Sequence, residues 1–207
     1  MLKISKVSLS YGSKQVLHDV SFHLQRGELG CVLGESGCGK TTLLRAVMGF
    51  EECSGGSIEV DGIVLSAMTV DSLRQRIAYL PQELSLPSPT IWDMVSIPFS
   101  FKANKGVELT EELLQREWSR LGLDIHLINR PSNSVSVGQR QRIMLSVCCL
   151  LGKPLIIIDE PTSALDNDTT LLVANYLKSV ARERDAAILA VTHSHTLAEV
   201  CDKTLHL

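Results

Sequence analysis

Gly34-Glu35-Ser36-Gly37-Cys38-Gly39-Lys40-Thr41 is the stretch that decides the fold. It satisfies the spacing G-x-x-x-x-G-K-[ST], and its flanks have the right character. Leu29 to Leu33 reads as a short buried strand that stops abruptly at the glycines. Thr41 to Phe50 follows, with Leu43, Leu44, Val47 and Met48 in helical step. A strand that turns through glycines into a helix is built to hold phosphate. The glycines let the backbone curl so that successive N–H groups face phosphate oxygens. The helix N-terminus adds a dipole that favours the anion. Lys40 brings a charge to the β- and γ-phosphates, and the Thr41 hydroxyl can ligate Mg²⁺. The residues expected around the phosphates are therefore Gly34, Glu35, Ser36, Gly37, Cys38, Gly39, Lys40, Thr41 and Thr42.

Outward from this loop, Leu155-Ile156-Ile157-Ile158-Asp159-Glu160 is an apolar strand that delivers two acids at its carboxyl end, the site position of a parallel sheet. Asp159 is placed to hold Mg²⁺, and Glu160 to orient and polarise an attacking water. The rest of the chain supplies an α/β frame. Residues 2–10 alternate as a half-buried strand with Leu2, Ile4, Val7 and Leu9 facing the core, and Val16 to Leu24 follows as another. Ser57 to Val60, Arg76 to Leu80 and Ala187 to Thr192 are further strands. Helices are expected at Thr110–Leu121, at about Val137–Leu151 and near 168–184. Between 83 and 101, Pro87, Pro89 and Pro98 interrupt regular structure, and Leu127 to Ser134 is loop-like. The expected fold is a P-loop NTPase core with a mixed or parallel sheet, an N-terminal antiparallel β portion and an inserted helical subdomain at 84–150, all within one domain of residues 1–207.

In order and spacing, the motifs resemble those of the ABC ATPases, over essentially the whole chain. Gln82 in Tyr79-Leu80-Pro81-Gln82 resembles that family's Q-loop glutamine, which senses Mg²⁺ and water. Pro161-Thr162 and Ser163-Ala164-Leu165-Asp166 resemble its D-loop region, His193 its γ-phosphate histidine, and Tyr11 its adenine-stacking aromatic. Taken alone, a histidine after a strand or a single tyrosine is more often structural. Val135-Ser136-Val137-Gly138-Gln139 stands where the family has its signature Leu-Ser-Gly-Gly-Gln, with Ser136, Gly138 and Gln139 in place. Val137 replaces a glycine there. A β-branched side chain at that point is strained if the site needs positive φ, and it either weakens closure onto a nucleotide or is tolerated because Ser136 and Gly138 make the contacts.

The resemblance implies ATP hydrolysis with Glu160, His193, Gln82 and Lys40 catalytic. It implies Mg²⁺ on Thr41, Gln82 and Asp159. It also implies ATP contacts from Tyr11 and from Ser136, Gly138, Gln139 and Asp166. Two copies would pack head to tail, so that Ser136 of one reaches the ATP held by Lys40 of the other, and a membrane permease would be the mechanical partner. The apolar stretch Trp92 to Phe99 is either part of a docking groove for that permease or plain subdomain core. A cytosolic assembly ATPase without a permease, of the iron–sulfur type, is the rival reading.

Composition narrows the rest. With 20 basic and 23 acidic side chains the formal charge is −3, which gives no footprint for nucleic acid. The six cysteines show no metal-ligand spacing, and Cys148-Cys149 read as small core residues of a reducing compartment. Ile143 to Gly152, the longest apolar run, is about half of a bilayer span. The cysteines and the absence of a span fit a cytoplasmic protein, the resemblance implies a place on the cytoplasmic face of the membrane, and the chain's end at Leu207, soon after His193, predicts no appended regulatory domain.

Overall fold

The computed structural model describes residues 1–83 and 87–207. The expected subdomain start at 84 lies outside these residues. Two sheets share the chain. The first is antiparallel, in the order β2-β1-β4-β5, with β1 at Leu2–Tyr11, β2 at Lys14–Leu24, β4 at Gly55–Val60 and β5 at Ile63–Val64. The second is parallel, in the order β6-β7-β8-β3-β9, with β3 at Leu29–Leu33, β6 at Ile77–Leu80, β7 at Leu155–Asp159, β8 at Ala187–Thr192 and β9 at Lys203–His206. Seven α-helices are described: α1 (Lys40–Val47), α2 (Val70–Arg74), α3 (Ile91–Ser96), α4 (Glu111–Arg120), α5 (Val137–Leu150), α6 (Asn167–Glu183) and α7 (His195–Val200).

β1 explains its own pattern. Leu2 and Ile4 are buried, and so are Val7 and Leu9, which changes the parity of the alternation in mid-strand. A strand can do this only by a bulge. The pairing with β2 slips between Ile4 and Val7, and Lys6 takes a φ of 50° to absorb the extra residue.

The parallel sheet is covered on both faces. One face, with Ile156, Ile158, Ile188 and Ala190, joins the core formed with α3, α4, α5 and α6. The other, with Leu155, Ile157, Leu189 and Val191, joins α1 and the antiparallel sheet. Two elements depart from the sequence expectation. The proline-interrupted segment still makes α3, because Thr90 and Asp93 form a reciprocal capping box that opens the helix before Pro98 starts a 3₁₀ turn. After β8 the chain adds α7 and then β9, which pairs with the outer edge of β3. Within the Trp92 to Phe99 stretch Met94 and Val95 are core and Trp92 and Phe99 pack against it half-buried, while Ile97 and Pro98 line an apolar groove with Phe101, Met144 and Val147. Cys148 and Cys149 are core as well, and burial pushes the Cys149 thiol up to about 12, leaving it inert. Among the described residues no helix is long and apolar enough to cross a membrane.

The helices between 91 and 150 are latched to α6 by a buried acid. Glu117 of α4 accepts from Tyr176 Oη at 2.7 Å and Arg184 Nη2 at 2.8 Å, while Arg184 Nη1 donates to Cys149 O. Beside it, Trp118 Nε1 donates to Ser146 Oγ at 3.0 Å, tying α4 to α5. Glu117→Ala removes the shared acceptor and strands a tyrosine hydroxyl and a guanidinium. Urea unfolding of the variant is expected to show a loss of about 2–4 kcal/mol.

Candidate active site

The site is assembled by strand ends. In the parallel ladder Leu33 lies opposite Thr192, and Asp159 opposite Val191. The residues that follow these ends, Gly34, Glu160 and His193, therefore meet on one side of the sheet. Together with Tyr11, Lys14, Val16, Ser36, Gly37, Gly39, Thr42 and Gln82, the residues Lys40, Thr41, Asp159, Glu160 and His193 line one cleft of about 680 Å³.

Gly39 shows why the loop sequence is so restricted. Its φ is 106°, and a Cβ there would come within 3.1 Å of Val16 Cγ1 and 3.3 Å of Val16 O. The β2 strand thus closes over the loop at a distance only glycine tolerates. Lys40, nearly buried, spans the loop and donates to the carbonyls of Gly34 and Glu35, both at 2.8 Å. Thr41 Oγ1 lies 3.4 Å from Asp159 Oδ2.

Asp159 and Glu160 are both buried. Burial, then the negative charge of Glu160, raise the Asp159 carboxyl above the usual range; the Thr41 hydroxyl and Lys40 pull it back. Glu160 Oε2 is 2.9 Å from His193 Nδ1, yet the ring is not aligned to donate, and among the described residues this oxygen has no hydrogen-bond donor. The cleft therefore keeps one buried carboxylate oxygen without a hydrogen-bond donor among the described residues.

Of the residues expected from the sequence, Gly34, Glu35 and Cys38 of the loop do not line this cleft, and neither do Ser136, Gly138, Gln139 and Asp166. Ser136 caps α5: its Oγ accepts from Gln139 N at 3.1 Å, and Gln139 Oε1 accepts from Ser136 N at 2.9 Å. Asp166 caps α6, accepting from Thr169 N at 2.8 Å. Val137 opens α5 without a positive φ, and its side chain is 73% exposed, so the condition under which valine would be strained is not met. Gly138 is where contact is tight: a Cβ would lie 2.9 Å from Leu165 Cδ2 and 3.0 Å from Ala164 O. Lys14 and Val16 also form the cleft wall, where the turn at Gly12 was the available sequence signal.

A family model described as "ABC transporter" matches residues 17–163. The chain belongs to the ABC transporter family. The zinc import ATP-binding protein ZnuC of Photorhabdus laumondii is 31% identical, covering 100% of this chain and 74% of that protein. The methionine import ATP-binding protein MetN of Clostridioides difficile is 30% identical over 98% of this chain and 64% of its own length. The Fe(3+) ions import ATP-binding protein FbpC 2 of Haemophilus influenzae is 32% identical over 93% and 54%. The chain thus spans between 54% and 64% of the length of these methionine and iron relatives. Among solved structures, a dimeric post-hydrolysis state of the ATP-binding cassette MJ0796, bound to ADP and Pi, matches with a TM-score of 0.83 at 25% identity, covering 100% of this chain and 94% of that one. Another, cbiO1 from Clostridium perfringens, matches at the same score and identity, covering 99% and 83%. The α/β architecture with its two sheets is that of the ABC cassettes.

In an ABC-family cleft whose acids repel, one substitution should separate stability from activity. Asp159 ionises less readily in the folded chain than in the unfolded one, so its charge opposes folding at neutral pH. Asp159→Asn, which removes that charge, is expected to raise the Tm and to leave the chain without ATP turnover. Scanning calorimetry and an ATPase assay on the same preparation check both halves.

Proposed function

We propose that the chain is the ATP-binding and ATP-hydrolysing subunit of an ABC transporter, working as a head-to-tail pair beside a membrane permease on the cytoplasmic face of the membrane. The observation that carries this is the meeting of Lys40, Thr41, Gln82, Asp159, Glu160 and His193 in one cleft under a phosphate loop. The relatives named above favour transport over a cytosolic assembly ATPase. We read residues 1–207 as one domain with 84–150 as its helical subdomain.

ATP is the substrate. The loop N–H groups of residues 34–41 and the Lys40 ammonium would take its phosphates, and Tyr11, 49% exposed at the cleft's edge, offers a face for the adenine. Thr41 and Asp159, with Gln82 near, would hold Mg²⁺. A hydroxyl and a carboxylate 3.4 Å apart suit a cation shared with substrate phosphates. When bound, Mg²⁺ would neutralise charge on the phosphate oxygens. Glu160, with an oxygen lacking a donor, is free to accept a hydrogen bond from the attacking water and take its proton. His193 stands at hydrogen-bonding distance from it, where its ring can turn towards the γ-phosphate.

Ser136, Gly138 and Gln139 lie outside the cleft because they serve the nucleotide of the opposing subunit. ATP then contacts both copies only when they close, which drives closure, and hydrolysis releases it. Asp166 would face the same junction. The apolar groove of about 300 Å³ between β6, α5 and residues 97–104 is the surface offered to the permease. Its volume takes a few apolar side chains of a short helix.

The test is a pull-down from solubilised membranes with tagged Glu160→Gln protein, ATP and Mg²⁺. The substitution removes the proton acceptor, so a closed pair should accumulate, and a multi-spanning membrane protein should come with it. Recovery of soluble partners alone would move the reading to the assembly class. Because Val137 is an exposed helix residue, Val137→Gly is expected to leave the ATPase rate within about twofold of wild type, the size of a small N-terminal helix effect. A several-fold rise would mean that the side chain obstructs closure.

A further inference from the structure

Glu160 leaves β7 with a φ of 51°, in the left-handed region that costs a residue with a side chain about 1–2 kcal/mol. Such a turn persists only where its surroundings hold it. Its N–H donates to Val191 O at 2.9 Å, which fixes it to the sheet. Its carbonyl is held from elsewhere. Gln141 Nε2, on α5, donates to Glu160 O at 2.7 Å; the contacts from Ser163 N and Oγ are longer, at 3.4 and 3.3 Å. The other end of the same amide, Gln141 Oε1, is buried and accepts no hydrogen bond from the described residues. A buried amide with an idle acceptor costs stability, so an apolar side chain would serve packing better. What the position uses is the donor.

The donor sits within the first two turns of the helix that Ser136 caps. That helix start is also in hard contact with the segment after Glu160, since Gly138 leaves no room for a Cβ against Ala164 O. Helix start, Gln141 amide and Glu160 peptide therefore form one linked unit.

We propose that Gln141 is a positioning residue for hydrolysis: its side-chain N–H holds the Glu160 peptide in the left-handed turn that aims the carboxylate, and so couples a contact made at Ser136 to the acid of the same chain. The proposal rests on the reading of Glu160 as the group that orients water. Gln141 itself is not among the residues that line the cleft.

Gln141→Met keeps the length of the side chain and removes both the donor and the idle acceptor. Full-length Q141M should keep its Tm within about 2 °C and its KM for ATP within about twofold, while kcat falls about tenfold, the effect of losing one well-placed hydrogen bond on the barrier. Gln141→Glu gives a second readout. Its carboxyl donates only when protonated, so its kcat relative to wild type should climb as the pH drops from about 8 to about 6. Wild-type kcat in Q141M alongside an inactive Glu160→Gln variant overturns the coupling. So does a large fall in Tm with matching loss of ATP binding, which makes Gln141 merely structural, or a pH profile of Q141E parallel to wild type. Full activity in Glu160→Gln overturns instead the reading of Glu160 on which the proposal rests.

Discussion

Parallel pairing of β3, β8 and β7 fixes where three strands stop. Leu33 opposite Thr192, and Asp159 opposite Val191, put the phosphate loop, the acid pair and His193 at one level without any of them contacting along the sequence. Residues from three distant parts of the chain become neighbours because backbone hydrogen bonds set the register, and side-chain chemistry follows. A slip of one residue in β7 would turn Asp159 to the other face of the sheet and leave the loop facing Ile158. The apolar run 155–158, buried on both sides, resists that slip with its packing.

What the register brings together is not comfortable at rest. Asp159 is pushed towards its neutral form by burial and by Glu160, Glu160 carries an oxygen with no donor, and Lys40 spends its hydrogen bonds on its own loop. In the proposed function each of these groups gains a partner when ATP and Mg²⁺ bind. Stability is sacrificed at the cleft and recovered in the two cores that flank the sheet, where the cost is diluted over many apolar contacts.

Much of this was legible in the sequence because it rests on local rules. Loop spacing, the strand ending in two acids and the helical step after Thr41 need no tertiary information. The parity change at Val7 was visible in the core positions assigned, though only the structure displays the bulge at Lys6 that permits it. Other features were hidden for physical reasons. The prolines around α3 masked a capping box at Thr90 and Asp93 that outweighs them. The β9 strand has a weak alternating pattern and exists because the edge of β3 needs a partner. Val137 looked strained by analogy with a glycine, whereas its place as first residue of α5 asks only for helical backbone. Gln141 offered no signal, since a glutamine on a helix face is ordinary until its neighbour's carbonyl is seen.

The parallel sheet also acts as a diaphragm. Alternate residues of β7 belong to different cores, Ile156 and Ile158 to the one shared with the helices from 91 to 150, Leu155 and Ile157 to the one shared with α1 and the antiparallel sheet. The two cores meet through a close-packed membrane of backbone that hardly yields to pressure on either side. Being stiff, it passes a displacement of one core on to the other, and at its row of strand ends, where Asp159, Glu160 and His193 stand, both cores are within reach.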